Sequence, residues 1–353
     1  PPSAPAMLDA AAPEFIRSEA EREAVLTHPS AALVEALRTL HGPLVVLGAG
    51  GKMGPTLCVR ARRAADAAGR RDLRVVAVSR YTDAGARAWL EARGVQTVAC
   101  DLLDGDLAAL PDAANVVYLV GLKFGTRHDP AQTWAVNTLV PARVARRYAG
   151  ARIAALSTGN VYPLVPVASG GATEETPLTP LGEYANACVA RERIFAFEAA
   201  RTETPVVLLR LNYAVDLRYG VLVDLGRRIL AGTRIDLTMG YLNCIWQGDA
   251  NDTVLRSLAL AEIPPRPLNL TGPAVLSVRT LAERLAALLG RTVRFTGTEA
   301  PTALLSDPAR ACALLGPPPT GVETMLRWTA RWLLDGGATL SKPTRFEVRD
   351  GRY

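Results

Sequence analysis

The stretch Pro43–Gly54, PLVVLGAGGKMG, joins an apolar run to a loop rich in glycine. The run PLVVL has the length and character of a buried strand. Gly48, Gly51 and Gly54 follow at intervals of three, and the segment after them has the composition of a helix. A strand, a glycine turn and a helix in this order predict one unit of a parallel α/β sheet.

The same alternation of strand-length and helix-length segments continues to about residue 211. It predicts an α/β protein with a doubly wound parallel sheet, in which right-handed crossovers place helices on both faces. The predicted strands are 43–48, 74–79, 95–100, 115–120, 152–157 and 205–211, and the predicted helices between them are 52–69, 83–93, 130–149 and 180–203.

The overall composition argues against several classes of protein. The 353 residues carry a net charge of +6, but the charges are spread along helices and do not form one basic patch with aromatic residues. We therefore expect no nucleic-acid partner. No apolar run approaches the roughly 18 residues of a membrane span, and the start lacks the pattern of a signal peptide. We expect no membrane partner and a cytoplasmic location.

Cysteine and histidine are too scattered for a disulfide framework or a metal centre. The three histidines form no HExxH-like pair, and the cysteines never occur at a CxxC spacing. We expect reduced cysteines and no bound metal. The five cysteines are Cys58, Cys100, Cys188, Cys244 and Cys312.

The glycine loop predicts a dinucleotide site. Glycines let the backbone turn sharply and approach a pyrophosphate, whose charge is received by N–H groups at the start of the helix. Tight packing alone would also explain glycines at such a turn, but the flanking strand and helix favour the nucleotide. Lys52 and Met53 lie inside the loop, and we expect them to bind the cofactor together with Gly48, Gly51 and Gly54.

Residues after the second and third strands bear on the identity of the cofactor. Ser79 and Arg80 stand where a carboxylate would receive the ribose of NAD. A hydroxyl and a guanidinium suit the 2′-phosphate of NADP, so the sequence favours NADP and leaves NAD open. A solvated loop arginine is the alternative interpretation. Asp101 and Leu102, after the third strand, are placed to contact the adenine.

Several motifs in order resemble the extended short-chain dehydrogenases/reductases of the NAD-dependent epimerase/dehydratase type, over about residues 43–335. The resemblance implies a Rossmann fold, an enzyme, and a homodimer formed by the helices at 130–149 and 180–203. The motifs that carry it are GxxGxxG at Gly48–Gly54, Asp101-Leu102, WAVNTLVPARVA with Asn137, LSTGNVYP at 156–163, and EYANACVARERIF at 183–195 in the place of the YxxxK helix.

The resemblance and the composition together divide the chain into four regions. The first six residues, PPSAPA, are expected to be disordered, and the last region is expected to be polar and extended. The regions are a helical extension at 1–42, the dinucleotide-binding domain at 43–212, a mainly substrate-binding lobe interleaved with the sheet at 213–337, with helices at 275–290 and 321–335, and a tail at 338–353.

In the family that this chain resembles, a tyrosine moves a proton at the substrate oxygen while hydride moves to or from nicotinamide. Tyr184 matches that acid/base residue, and Thr158 matches the hydroxyl group that orients the same oxygen. The family's lysine is replaced by Cys188. A lysine holds the nicotinamide ribose and lowers the pKa of the tyrosine, and a neutral thiol cannot supply that charge.

Three interpretations of Cys188 remain open. It is an inert residue in a site that has lost its chemistry, its role is filled by another cation, or it is a reactive thiol. Lys123, in GLKFGT after the fourth strand, is the best substitute cation, because that loop lies at the carboxyl edge of the sheet. The alternative for Lys123 is a solvated loop lysine.

Substrate specificity is predicted from departures within these motifs. Gly159-Asn160 replaces the acidic pair of the dehydratases, which disfavours dehydration, and Leu242 stands where nucleotide-sugar enzymes carry an arginine for the diphosphate. We therefore expect an NAD(P)-dependent oxidoreductase or epimerase-like enzyme acting on a small sugar, polyol or related compound. The alternative is an NADP(H)-binding sensor. The expected substrate-binding residues are Asn160, Tyr162, Asn212 and Trp246.

Overall fold

The computed structural model describes residues 12–123, 125, 128–340 and 342–352. The helices are α1 Glu19–Thr27, α2 Ala31–Arg38, α3 Gly54–Ala67, α4 Ala84–Glu91, α5 Pro130–Arg147, α6 Gly182–Thr202, α7 Val221–Leu230, α8 Gln247–Arg256, α9 Val278–Leu289, α10 Ala309–Leu315 and α11 Val322–Leu334. The strands are β1 Leu44–Leu47, β2 Val75–Ser79, β3 Gln96–Ala99, β4 Asn115–Tyr118, β5 Arg152–Thr158, β6 Val165–Pro166, β7 Val206–Leu211, β8 Ala214–Val215, β9 Ile235–Asp236, β10 Tyr241–Leu242, β11 Ile245–Trp246, β12 Arg266–Leu270, β13 Leu276–Ser277, β14 Phe295–Thr296 and β15 Thr302–Ala303.

The central sheet is parallel and has the strand order β12-β7-β5-β4-β1-β2-β3. The chain begins in the middle at β1, runs to the β3 edge and then returns to β4 on the other side of β1. This reversal places a crevice at the carboxyl ends of β1 and β4, which is where open α/β sheets bind ligands. The predicted doubly wound sheet is confirmed.

Strand β1 shows why the sheet has helices on both faces. All four of its side chains are buried. Leu44 and Val46 belong to one core, packed with α3, whereas Val45 and Leu47 belong to the other, packed with α5 and α6. Successive side chains of a strand point to opposite faces, so a strand with apolar residues at every position needs cover on both.

Most predicted elements match the observed ones to within three residues, but β12 was not predicted. Its sequence, Arg266–Leu270, contains arginine, proline and asparagine and lacks the apolar run of a buried strand. The strand lies at the edge of the sheet beside β7, where a proline is tolerated. Helices α7, α8 and α10 were not predicted either, and the strand-like run TRIDLTM contributes only the two residues of β9.

The two ends of the chain differ in what the structure shows. Helices α1 and α2 confirm the helices expected within 8–41, and the segment PPSAPA lies outside the described residues. The tail is packed against the protein, although its sequence is polar. Phe346 is fully buried, and Thr344 donates to Asp224 Oδ2 from its N–H group at 2.7 Å and from its hydroxyl at 2.6 Å. The tail is therefore fixed beside α7.

Candidate active site

The glycine loop between β1 and α3 is shaped by close backbone contacts. Gly48 has a φ of +80°, and a Cβ there would lie 2.9 Å from Val120 Cγ2. A Cβ on Gly54 would lie 2.4 Å from the Ala49 carbonyl oxygen. Only glycine fits these two positions, and the loop feeds directly into the N-terminus of α3. An open N-terminus of this kind suits a pyrophosphate.

Two adjoining cavities open on this loop and share Gly48, Gly51 and Gly121 in their walls. The first lies beyond the ends of β2 and β3 and is lined by the predicted cofactor residues Ser79, Arg80, Asp101 and Leu102. The second lies beyond the ends of β4, β5 and β7. It is lined by the predicted residues Lys52, Met53, Gly54, Lys123, Thr158, Asn160, Tyr184 and Asn212.

Arg80 and Asp101 face one another at the first cavity. Arg80 Nη1 lies 4.0 Å from Asp101 Oδ2, and both side chains are exposed. Asp101 Oδ1 also accepts a hydrogen bond from the Leu103 N–H group at 2.9 Å. A phosphate placed beside Arg80 would therefore meet an attractive guanidinium and a repulsive carboxylate together. The structure brings Arg80 to the cavity without deciding between NADP and NAD.

Thr158 and Tyr184 meet in the second cavity although they are far apart in the sequence. Thr158 is the last residue of β5, and its hydroxyl donates to Asn160 Oδ1 at 3.0 Å. Tyr184 lies in the first turn of α6 and hydrogen-bonds with Thr158 and Cys188. Burial raises the pKa of the Tyr184 phenol well above its usual value, so the phenol holds its proton at neutral pH.

Cys188 is fully buried one helical turn after Tyr184. Burial raises the pKa of its thiol, although the nearby Arg191 guanidinium acts in the opposite direction. A thiol is nucleophilic only as the thiolate. The environment of Cys188 therefore disfavours the reactive-thiol interpretation, and its contact with the tyrosine is that of a neutral hydrogen-bonding neighbour.

Lys123 reaches the same cavity from the loop after β4. Its Nζ lies 5.9 Å from the centroid of the Tyr184 ring and 6.0 Å from that of Tyr213. Burial lowers the pKa of Lys123 to about 8. The ammonium group is thus near the tyrosine, as the substitute-cation hypothesis requires, but it loses its proton in the mildly alkaline range.

Arg191 is a wall residue of the second cavity that the sequence did not single out. It lies on α6, three residues beyond Cys188, and is only 3% exposed. Its Nη1 donates to the Leu156 carbonyl at 2.8 Å, and its Nη2 donates to Asn137 Oδ1. Asn137 also donates to the Leu122 carbonyl at 3.0 Å, beside Lys123. The asparagine thus links α6 to the loop after β4.

Lys52 faces the opposite wall of the second cavity. Its Nζ donates to the Ala214 carbonyl at 2.7 Å and lies 4.2 Å from the centroid of the Tyr219 ring. Burial lowers the pKa of Lys52 to about 8. Thr344 of the tail lines this wall as well. Tyr219 and Thr344 were not predicted, because no motif marks them and only the fold brings them to the cavity.

Two predicted substrate residues lie elsewhere, and neither lines the two cavities described above. Trp246 is buried in the lobe core and packs edge-on against Trp328, with ring centroids 5.1 Å apart. Tyr162 is buried beside Arg210, and its hydroxyl donates to Asn269 Oδ1 at 2.8 Å. Both aromatic rings pack in the interior of this structure, away from the two cavities, and their contact with substrate stays a prediction.

The fold is a Rossmann-like α/β sheet that brings Thr158 and Tyr184 together at its carboxyl edge. Residues 44–215 match the model of the NAD dependent epimerase/dehydratase family. A search of curated proteins gave no match. No helix among the described residues is long and apolar enough to cross a membrane, and those residues contain no cluster of metal-ligand side chains.

Solved structures with the same fold include several enzymes of nucleotide sugars. MoeE5 in complex with UDP-glucose and NAD is 20% identical, with a TM-score of 0.68, over 84% of this chain and 99% of that one. UDP-glucuronic acid 4-epimerase from Bacillus cereus, with UDP-glucuronic acid and NAD, is 18% identical, with a TM-score of 0.68, over 83% and 99%. dTDP-glucose 4,6-dehydratase from Bacillus anthracis str. Ames, with NAD, is 15% identical, with a TM-score of 0.70, over 83% and 97%.

Proposed function

We propose that this protein is an NAD(P)-dependent oxidoreductase or epimerase-like enzyme in which Tyr184 moves the proton at a substrate oxygen. One observation carries the proposal. Thr158 and Tyr184 converge in a cavity that continues, past Gly121, into the cavity of the glycine loop. The nicotinamide of a bound cofactor would supply or accept the hydride there.

The side chains at the site favour reduction of a carbonyl group over oxidation of an alcohol. Tyr184 is a protonated phenol in its buried position, which suits donation of a proton to a carbonyl oxygen. The Thr158 hydroxyl lies beside Tyr184 and is held by Asn160 through contacts at 3.0 Å and 3.2 Å; to hydrogen-bond the same substrate oxygen it would turn its proton away from Asn160 Oδ1. Oxidation of an alcohol needs the phenolate and therefore a nearby positive charge. We propose that carbonyl reduction is the easier direction.

The substrate that we propose is a small sugar, polyol or related carbonyl or hydroxyl compound. Leu242 stands where we looked for a diphosphate-binding arginine, and it is fully buried in β10 beside β13. Thr344, held by Asp224, brings the tail to the wall of the cavity, and Gly351 packs directly on Gly182 at the start of α6. The tail thus reaches the wall of the cavity at Thr344, which supports a compact substrate.

The first experiment is a substrate panel with Tyr184→Phe as its control for chemistry. Free sugars, sugar acids, polyols, UDP-glucose and UDP-glucuronic acid are each offered with NAD(H) and NADP(H), and the absorbance of reduced nicotinamide is followed. We expect turnover with a small compound and a loss of ~10²–10⁴-fold in Tyr184→Phe. Tyr148→Phe is the matched variant, since Tyr148 is buried but does not line either cavity. Equal turnover in Tyr184→Phe and Tyr148→Phe contradicts the proposal.

A regulator that senses the NADP(H) pool is the second candidate, and the buried Cys188 at the position of the family's lysine favours it. A Cys188→Lys variant separates the two candidates. Gain of oxidoreductase activity from an inactive parent indicates a site that has lost its chemistry. Loss of an existing activity indicates an enzyme that has reorganised its charges around Cys188.

We also propose a preference for NADP and a homodimer. Ser79 and Arg80 at the first cavity support the preference, although the similar structures named above contain NAD. Apolar side chains on α5 and α6 support the dimer, because Leu139 is 55% and Phe197 is 60% exposed. Light scattering that finds a monomer at working concentration contradicts the dimer, and equal affinity for the two cofactors contradicts the preference.

A further inference from the structure

Helix α6 presents a second charged residue to the second cavity. Tyr184, Cys188 and Arg191 stand at positions i, i+4 and i+7, which share one face of a helix. Tyr184 and Arg191 both line the cavity. A Cβ on Gly121 would lie 3.0 Å from Arg191 Nη2, so the guanidinium reaches the end of β4 where the two cavities join.

The guanidinium is buried among neutral groups. Its two terminal nitrogens donate to the Leu156 carbonyl and to Asn137 Oδ1, and no described atom pairs with its Nε. Among the described residues, none gives Arg191 a carboxylate partner. The adjacent Glu192 is engaged elsewhere, with both of its oxygens on Arg210 and one on Ser157. Arg191 is thus a buried cation with no carboxylate in ion-pair contact among the described residues, although Glu192 acts on it at longer range.

The buried positive charge of Arg191 is energetically unfavourable unless an anion lies next to it when the protein functions. An arginine cannot neutralise itself by losing a proton, as a buried lysine can. Taking an unpaired charge out of water is costly, and an opposite charge nearby offsets that cost. Tyr184, Tyr213 and Tyr219 line this cavity, and each becomes an anion when its phenol gives up its proton; of the three, Tyr184 shares the helix face of Arg191.

We propose that Arg191 supplies, from one turn further along α6, the positive charge that stabilises the phenolate of Tyr184. Arg191 would thereby take over the electrostatic role of the lysine that Cys188 replaces. The inference rests on the proposed role of Tyr184 in proton transfer. It also explains why Asn137 orients the guanidinium: the amide oxygen accepts from Nη2 and leaves the charge on the cavity wall.

The surroundings of Tyr184 contain other groups that can titrate. Cys188 shares its helix face, Lys123 faces its ring from the loop after β4, and Tyr213 follows β7 beside Lys123. Lys123 is the rival cation, but its pKa of about 8 makes its charge disappear as the solution becomes alkaline. The guanidinium of Arg191 stays charged throughout, and both Tyr184 and Cys188 experience its field.

The test measures the ionisation of residue 184 directly and needs no substrate. Residue 184 is replaced by 3,5-difluorotyrosine, whose phenol is more acidic than that of tyrosine, and the full chain with NAD added is titrated by fluorine NMR. We expect the midpoint in Arg191→Gln to rise by about one unit or more, because an opposite charge near an acid favours its ionised form. Arg191→Lys should hold the midpoint near that of the parent only while the lysine keeps its proton, and burial lowers the pKa of Lys123 in the same cavity to about 8.

Two further variants decide the interpretation. Arg193→Gln changes an exposed arginine on the same helix and should leave the midpoint unchanged. Lys123→Met should move the midpoint less than Arg191→Gln does, and the reverse order overturns the proposal in favour of Lys123. A shift in Arg191→Gln no larger than that in Arg193→Gln also overturns it.

The same titration remains decisive if the first variant does not fold. Arg191→Met then serves as the neutral variant. If neither folds, Lys123→Met decides alone, and a rise of about one unit or more in that variant overturns the proposal in favour of Lys123. Because no turnover is measured, failure here is distinct from failure of the substrate panel, which would leave the electrostatic role of Arg191 intact.

Discussion

Helices α6 and α8 both carry buried charged residues, which are Arg191, Glu192 and Glu198 on α6 and Asp249 and Asp252 on α8, and these charges differ in whether they form ion pairs. On α6, Glu192 pairs with Arg210 at 2.7 Å, whereas Arg191 has only neutral acceptors. On α8, Asp252 pairs with Arg60 at 2.8 Å. Asp249, one turn earlier, accepts a hydrogen bond from the N–H group of Thr320 at 2.9 Å and makes no ion pair among the described residues.

Within the described part of the chain, Asp249 on α8 and Arg191 on α6 both lack an ion pair, and they differ in whether the side chain can become neutral. Burial raises the pKa of Asp249 to about 6, so this carboxylate can take up a proton and become neutral. The guanidinium of Arg191 cannot become neutral by losing its proton, and it lies on a cavity wall. Asp249 therefore needs no ligand, whereas Arg191 is arranged to meet an anion. A buried charge is informative about function when it can neither pair within the fold nor neutralise itself.

The largest expected effect comes from breaking the paired charge on α6. Glu192→Gln leaves the Arg210 guanidinium buried without its carboxylate, and we expect a loss of ~3–5 kcal/mol in the free energy of unfolding. Denaturant titration measures it. Glu91→Gln is the control, since its pair with Arg87 is exposed and is worth at most ~1 kcal/mol. Equal losses in the two variants would show that burial does not set the strength of these pairs.

The lone charge on α8 predicts a pH dependence of stability. Burial raises the pKa of Asp249 in the folded state from its usual value of 3.8 to about 6. Its contribution to stability is fully present below the unfolded pKa and is lost as the pH rises through about 6. Between these values the change is ~1.4 kcal/mol per pH unit.

Asp249→Asn isolates this contribution, because it keeps an acceptor for Thr320 and removes the titration. Relative to this variant, the parent should gain ~1.4 kcal/mol in the free energy of unfolding between pH 7.5 and pH 5. Denaturant titrations of both proteins at several pH values give the difference. Parallel curves for the two proteins would show that Asp249 does not titrate in this range.

The half of the site that binds the dinucleotide could be predicted from the sequence, and the reason is physical. Gly48, Gly51 and Gly54 act through local geometry, since a strand, a turn and a helix are contiguous in the chain. Thr158 and Tyr184 could be predicted for a similar reason, because each lies at a recognisable end of a strand or helix. The structure places all five on the walls of the two cavities.

The charge balance of the site could not be predicted in the same way. Arg191 is one of many arginines in the sequence, and only the fold shows that Glu192 beside it turns toward Arg210 and leaves it with neutral partners. The burial of Trp246 could not be predicted either, because only the fold shows that its ring packs in the core of the lobe. Ion pairing and burial depend on residues distant in the sequence, and periodicity carries no information about them.

The contrast between Arg191, which stays charged, and a lysine, which can lose its proton, predicts only a small loss of turnover when Lys123 is replaced. Lys123→Met removes an ammonium group that is protonated below its pKa of about 8 and neutral above it. If Arg191 provides the lasting charge, we expect turnover of the panel substrate to fall less than about tenfold at pH 7, equivalent to ~1.4 kcal/mol. A larger loss, together with a fall in parent activity as the pH rises through 8, would make Lys123 the principal cation.

The smallest effect is expected where charges face each other in solvent. Arg80 and Asp101 lie 4.0 Å apart at the rim of the first cavity, and water screens both. Exposed pairs are worth at most ~1 kcal/mol, so Arg80→Ala should weaken NADP binding about fivefold and leave NAD binding within about twofold. Asp101→Asn is the matched change and should strengthen NADP binding, because it removes the carboxylate that would repel a 2′-phosphate. Calorimetric titration of both cofactors measures these affinities, and an equal loss for NAD and NADP in Arg80→Ala would mean that Arg80 does not discriminate between them.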